Sequence, residues 1–130
     1  MTIVPVYAAL LAFVYIYLSL RVIGVRKTRK VTIGANGDPV MERAIRVHAN
    51  FAEYTPFALL LLFMLEMNRG NEIWLNVLCA ALLVGRASHA FGVSKEQEDL
   101  RFRKAGMITT FGVIAAAAVS LLWLAVLALV

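Results

Sequence analysis

The residues best suited to chemistry lie where a charged segment runs into an apolar one, in the stretch ERAIRVHANFAEYTPFALLLLF from Glu42 to Phe63. Successive residues of an α-helix are about 100° apart, so some of these polar residues share one face. Four of them lie within roughly 80° of one another and are named here the arginine stripe: Arg43, Arg46, Asn50 and Glu53. His48 points to the opposite side of the same helix.

The composition of the arginine stripe indicates two kinds of interaction. An arginine and a carboxylate three or four residues apart on a helix can pair, and Asn50 can bridge them with its donor and acceptor groups. The stripe has more arginines than Glu53 can neutralise, which favours a carboxylate or phosphate ligand. The alternative is a structural stripe that only holds helices together, because ionisable groups inside membranes usually face other helices and find partners there.

Two further basic clusters precede and follow the third loop. Arg86 and His89 are one turn apart in GRASHAFG, and Arg101, Arg103 and Lys104 precede the last apolar run. Each has an ordinary explanation as well, since Arg86 can extend to lipid headgroups and the later cluster can anchor a helix at the cytoplasmic surface.

Metal chemistry is not expected. The chain has two histidines, and no thiolate or carboxylate lies at ligand spacing from them. His48, turned away from the stripe, is expected to be an interface residue or to form a hydrogen bond between helices, rather than to be a catalyst.

The elements that carry these residues are predicted to be membrane helices. The chain is 62% hydrophobic with a mean hydropathy of +0.79, and its apolar runs approach the ~20 residues that cross ~30 Å of hydrocarbon. We predict an all-α, integral membrane four-helix bundle that forms one domain over 1–130. Its helices are expected at about 2–23, 40–67, 73–92 and 103–130. Asp38 and Pro39 have the character of a cap and a first helical residue, so helix two should begin before the membrane.

The distribution of charge predicts how the chain is oriented. The 13 Lys and Arg residues outnumber the 8 Asp and Glu, and all the basic residues except Arg69 lie in or beside loops one and three. The positive-inside rule therefore puts these loops in the cytoplasm and both termini outside. This placement explains the basic balance without a nucleic-acid partner. A secretory signal peptide has basic residues before its apolar run, whereas here they follow it. The first apolar run is therefore expected to be a membrane helix that is not cleaved off as a signal peptide.

The stretch MERAIRVHANFAEYTPFALLLL resembles the signature of the membrane-associated proteins in eicosanoid and glutathione metabolism, the MAPEG family. The segments GRASHAFG and RFRKAGM resemble that family's third and fourth helices, as they occur in its small bacterial members. The resemblance implies a homotrimer in a bacterial inner membrane. It also implies glutathione bound between adjacent subunits near the cytoplasmic face.

By the same resemblance, six residues are expected to bind glutathione: Arg46, Asn50, Glu53, Tyr54, Arg86 and His89. The arginine that stabilises the glutathione thiolate corresponds to Arg103, with Arg101 as the alternative register. The chain departs from the family's eicosanoid enzymes at Val93, where they have a tyrosine, and at Ala49, where they commonly have an arginine. Both departures weaken the site.

The expected activity is that of a membrane-bound glutathione transferase or peroxidase. Glutathione is the co-substrate, no metal is required, and the thiolate attacks a hydrophobic electrophile or a lipid hydroperoxide. The alternative is a non-catalytic lipid- or glutathione-binding membrane protein of the same fold. A small multidrug exporter is disfavoured because helix one carries no carboxylate.

Overall fold

The computed structural model describes residues 2–94 and 100–129, apart from the side chains of residues 93, 94 and 100. It consists of α1 (Ile3–Arg29), α2 (Pro39–Met67), α3 (Glu72–Ser94) and α4 (Leu100–Leu127). The prediction of an all-α protein with four helices is confirmed. Lys95, one of the basic residues near loop three, lies outside the described residues, and so does the side chain of Val93.

Three of these helices are long and apolar enough to cross a membrane. In the described part of the chain they are Ile3–Arg29, Glu72–Gly92 and Arg101–Leu127. α2, which the sequence also predicts to be a span, is not one of them. Its first half carries four charged residues, Glu42, Arg43, Arg46 and Glu53.

The loop between α1 and α2 is fixed by polar contacts. The Asp38 carboxylate accepts hydrogen bonds from the amides of Val40 and Met41 at 2.8 and 3.0 Å, and Pro39 occupies the first turn. This confirms the predicted start of α2, since a carboxylate cap satisfies amides that have no partner within the helix. Arg29 at the end of α1 pairs with the same carboxylate at 3.4 Å.

The helices pack with α2 and α3 in the middle of the bundle. Each of these two contacts all the other helices, whereas α1 and α4 do not contact each other within the described residues. Leucine is the commonest residue of the core, with Leu11, Leu62 and Leu82 as examples. Large apolar side chains also cover the outside, for example Phe13 and Ile108, which are 70% and 71% exposed. A surface of this kind suits contact with lipid.

The two ends of the bundle differ in charge. α1 and α3 finish at the same end at which α2 and α4 begin, and we call this the basic end because Arg26, Lys27 and Arg29 lie in the last turn of α1. At the far end, the buried carboxylate of Glu66 accepts hydrogen bonds from the amides of Ile3 and Val4 at 2.9 and 3.1 Å. These bonds join the first turn of α1 to the last turn of α2, and a negative group is stabilised there by the α1 dipole.

Candidate functional site

A cavity of about 310 Å³ lies at the basic end, between the first half of α2, the end of α3 and the start of α4. Its volume falls within the range of ~300–1,000 Å³ typical of small-molecule sites. Its lining consists of Pro39, Glu42, Arg43, Arg46, Val47, Asn50, His89 and Arg103. Three of the described lining residues are arginines, and a guanidinium is well suited to binding a carboxylate or phosphate group.

Several residues predicted from the sequence meet in this cavity although they are far apart in the chain. Arg46 and Asn50 come from α2, His89 comes from α3, and Arg103 comes from α4. Arg101 is exposed and does not belong to the lining.

Arg86 lies behind the cavity and is almost completely buried, with 1% of its surface exposed. Its Nη1 atom donates a hydrogen bond to Oδ1 of Asn50 at 2.9 Å, and Nη2 contacts Sδ of Met107 at 3.6 Å. Within the described residues its Nε atom has no hydrogen-bond partner. Arg86 therefore does not extend to headgroups; within the described part of the chain, its buried positive charge is contacted only by neutral groups.

The stripe alone indicates that Asn50 bridges an arginine and Glu53 of its own helix, but the structure gives Asn50 a different partner. It accepts from Arg86 of α3 and does not bridge two residues of α2. This hydrogen bond joins the two central helices next to the cavity, and a bond with a charged donor is among the stronger ones.

Glu53 and Tyr54 lie outside the cavity. Glu53 is exposed, and within the described residues it has no hydrogen-bond or ion-pair partner. The half-buried ring of Tyr54 packs edge-on against Phe111 of α4, with ring centroids 5.3 Å apart. Within a single subunit, then, the structure brings Arg46, Asn50, Arg86, His89 and Arg103 together and leaves these two on the surface beside them.

A close crossing of α3 and α4 places His89 and Arg103 on the same wall. A Cβ atom added at Gly106 would lie 2.6 Å from the carbonyl oxygen of Gly85 and 2.7 Å from Cβ of His89. The two backbones can approach this closely only because glycine has no side chain. Gly106 is one turn after Arg103, so the crossing sets the distance of this arginine from α3.

His48 faces α1, on the side of α2 opposite the stripe. Its Nε2 atom lies 3.0 Å from Oγ of Ser19, and its ring stacks on Tyr15 with centroids 4.9 Å apart. This agrees with the prediction of a histidine that forms a hydrogen bond between helices.

Sequence reasoning missed two contributors to the arrangement. Met107 contacts the Arg86 guanidinium, and no sequence signal distinguishes this methionine from one that packs in the core. The second is Glu66, at the end of the leucine-rich run. A carboxylate among apolar residues needs a partner in the fold, so its presence there could have predicted a contact with another helix.

A larger cavity of about 670 Å³ lies at the far end, lined by residues that include Glu66, Arg69, Asn71 and Glu72. Its buried carboxylate, Glu66, accepts hydrogen bonds from the first amides of α1. Fewer cationic side chains line this cavity than line the cavity at the basic end. In the described residues no group of three or more His, Cys, Asp or Glu is placed to hold a metal ion. The cavity at the basic end is therefore the candidate site.

Comparison with known proteins identifies the family of the chain. The sequence profile of the MAPEG family matches residues 4–123. The chain is also 34% identical over 118 residues to inner membrane protein YecN of Escherichia coli K12, covering 90% of this chain and 88% of that protein. The same protein in E. coli O6:H1 is equally similar. With a match over nearly its whole length, the chain belongs to the MAPEG family.

Proposed function

We propose that the cavity at the basic end binds glutathione and that the protein is a membrane-bound glutathione transferase with peroxidase-like activity. The observation that carries this proposal is the buried guanidinium of Arg86, whose contacts are neutral, behind a cavity lined by Arg43, Arg46 and Arg103. A buried charge without a counter-ion is costly in a low-dielectric environment, and an anionic ligand would remove that cost. Family membership supports the same ligand.

The chemistry of glutathione fits these residues. It has two carboxylates, an ammonium group and a thiol, so arginines can bind both of its acidic ends. Glu53, on the neighbouring surface, can accept from the ammonium group. Arg46, Asn50, Tyr54, Arg86 and His89 complete the proposed binding set.

Arg103 is the proposed catalytic residue. A guanidinium beside the glutathione sulfur stabilises the thiolate and lowers the pKa of the thiol towards neutrality, so no general base is required. The thiolate then forms a bond to carbon of a hydrophobic electrophile, while the leaving group departs with the displaced electron pair. With a lipid hydroperoxide, the thiolate takes the terminal oxygen as the O–O bond breaks, and the alkoxide leaves and is protonated to the alcohol. A second glutathione then attacks the resulting sulfenic acid, which gives glutathione disulfide and water.

Three further features belong to the proposal. The protein is a homotrimer, in which a neighbouring subunit covers exposed Glu53 and half-buried Tyr54; an uncovered carboxylate facing lipid would be unfavourable. It resides in the bacterial inner membrane, as the name of the relative in E. coli states for that protein. Loops one and three face the cytoplasm, so glutathione enters from that side and the hydrophobic substrate arrives from the membrane.

The test is to follow the thiolate absorbance of added glutathione near neutral pH with the purified protein in detergent. We expect a thiolate signal and conjugation of a generic electrophile with the wild type. Both should fall by about 100-fold or more in Arg103→Ala, because a preorganised donor to a developing or stabilised anion contributes on this scale. Native mass spectrometry of the same preparation should give the mass of three subunits.

The controls separate charge from position. Lys104→Ala removes an exposed cation that does not line the cavity and should leave both signals unchanged. If Arg101→Ala loses the signals and Arg103→Ala keeps them, Arg101 is the catalytic residue. Binding of glutathione without thiolate or turnover would favour the alternative, a non-catalytic glutathione- or lipid-binding protein, and no binding would refute both.

A further inference from the structure

The cavity of about 670 Å³ at the far end has no described lining residue in common with the candidate site. It lies where the start of α1, the end of α2 and the start of α3 meet, so three helices and the short loop between α2 and α3 form its walls. Its described lining consists of Thr2, Ile3, Glu66, Arg69, Gly70, Asn71, Glu72 and Leu75. Both signs of charge are therefore present around one space.

Arg69 and Glu72 contribute opposite charges that do not neutralise each other. Both residues are exposed, and within the described part of the chain neither side chain forms an ion pair or a hydrogen bond. Glu66, in contrast, is buried and accepts hydrogen bonds from the amides of Ile3 and Val4. A guanidinium suits a phosphate group and a carboxylate suits an ammonium group. Separate charges of both signs in one cavity therefore favour a ligand that carries a phosphate and an amine.

The turn between α2 and α3 fixes the backbone that carries these two charges. Arg69 has a left-handed backbone with a φ of 54°, and the Gly70 amide donates to the carbonyl of Leu65 at 3.0 Å, which closes the end of α2. Asn71 then starts α3, because its Oδ1 atom accepts from the amide of Trp74 at 3.0 Å. Hydrogen bonds thus hold both ends of the turn, and the two charges are carried by a segment of defined geometry.

An apolar groove of about 400 Å³ adjoins the cavity at the same turn, since Gly70 and Asn71 line both. The rest of its described lining consists of Leu65, Trp74, Val119, Ser120, Trp123 and Leu124. Trp74 and Trp123 are the two tryptophans of the chain, and they are 43% and 62% exposed. Tryptophan side chains are typical of the boundary between hydrocarbon and headgroups. The charged cavity beside them therefore lies at the level of the lipid headgroups.

We propose that the far end binds a phospholipid whose headgroup carries a primary amine, with phosphatidylethanolamine as the representative. The phosphate binds Arg69, the ammonium group donates to Glu72, and an acyl chain packs along Trp74 and Trp123. The headgroup of phosphatidylcholine has no N–H, so it would leave the carboxylate without a hydrogen-bond donor. Phosphatidylglycerol has no cationic group to offer. The proposal does not depend on glutathione, because the two cavities lie at opposite ends of the bundle.

The position of the two tryptophans makes a fluorescence test possible, because both line the groove. The full-length protein is reconstituted in phosphatidylcholine bilayers, and its tryptophan fluorescence is measured as a phospholipid with brominated acyl chains replaces the host lipid. Bromine quenches only those tryptophans that the chain contacts. We expect half-maximal quenching by brominated phosphatidylethanolamine at a mole fraction about fivefold lower than by brominated phosphatidylcholine or phosphatidylglycerol, as expected for one additional hydrogen bond.

Variants test the two charges separately. Glu72→Gln should abolish the preference for phosphatidylethanolamine and leave quenching by phosphatidylcholine unchanged, whereas Glu72→Asp should retain the preference. Arg69→Gln should weaken quenching by all three lipids about fivefold, because all three carry a phosphate. Lys27→Gln is the matched control for Arg69, because Lys27 is an exposed cation at the basic end. Its quenching should match that of the wild type.

Four outcomes would overturn the proposal. Equal quenching by brominated phosphatidylethanolamine and phosphatidylcholine in the wild type would show that the amine is not recognised, even if a variant failed to fold. An unchanged preference in Glu72→Gln would exclude that carboxylate. Competition by soluble phosphoethanolamine as strong as that by the whole lipid would show that the site takes a free headgroup. Absence of quenching by every brominated lipid would show that the groove is covered by protein.

Discussion

Arg86 is the residue on which the candidate site depends most. Its guanidinium is buried, bonded to Asn50, and contacted on its other side by a thioether. Because Asn50 is neutral, it orients the guanidinium and leaves its charge available to a ligand. A neutral orienting partner is what an anion-binding site requires, since a carboxylate in its place would compete with the anion.

This reasoning predicts the effect of Asn50→Asp. The new carboxylate should pair with Arg86 and lower glutathione affinity about tenfold or more, because it competes for a charge-assisted bond. Thermal stability in detergent should be retained or raised, since the buried cation gains a counter-ion. Isothermal titration with glutathione and an unfolding curve measure the two effects.

Asn76→Asp is the matched control, because Asn76 is an exposed α3 residue whose amide donates to the Glu72 carbonyl. It should leave glutathione binding unchanged. If Asn50→Asp binds glutathione as tightly as the wild type, Arg86 does not serve the ligand through its charge.

At the scale of elements, the crossing of α3 and α4 determines the geometry of the site. Gly106 of α4 lies against Gly85 and His89 of α3 so closely that no other side chain fits without a shift. Interiors are packed tightly enough that such a shift moves whole helices relative to each other. Arg103 is one turn from this contact and would move with α4.

Gly106→Ala tests this directly. The added methyl group should displace α4 from α3 and reduce conjugation by about 100-fold, the scale expected when a catalytic group moves by ~1 Å. Gly112→Ala is the control, because a Cβ atom at Gly112 meets nothing within 4 Å. That variant should keep its activity and be as stable as the wild type or slightly more so, since alanine favours helices by ~1 kcal/mol. Equal activity in both variants would refute the positioning role of the crossing.

The sequence predicts the elements better than the contacts between them. Helical periodicity and the capping residues Asp38 and Pro39 are local properties, so the stripe and the start of α2 can be derived from the sequence. Which helix faces Asn50 is a tertiary property, and the local pattern indicated Glu53 where the structure has Arg86. The polar spacing likewise could not reveal that Glu53 and Tyr54 lie outside the cavity, because residues on one stripe can face different neighbours along its length.

For the whole molecule, the separation of charge between the two ends predicts orientation in the membrane. The basic end should face the cytoplasm. Thr32→Cys in the first loop should react with a membrane-impermeant maleimide only after the inner membrane is opened, whereas Thr2→Cys should react in cells with a permeabilised outer membrane. Both positions are exposed.

The wild type serves as the control for this labelling. Its single cysteine, Cys79, is 0% exposed and should not react. The reverse labelling pattern would invert the orientation and place the candidate site on the other side of the membrane.

The contact between Glu66 and the start of α1 also bears on how the chain is made. When α1 leaves the ribosome, the amides of Ile3 and Val4 lack the carboxylate that they bond in the folded protein, because Glu66 belongs to the last turn of α2. This contact can therefore form only after α2 has been synthesised and has folded back beside α1. The smallest segment of the chain that can make it is the helical hairpin of α1 and α2, not the single helix.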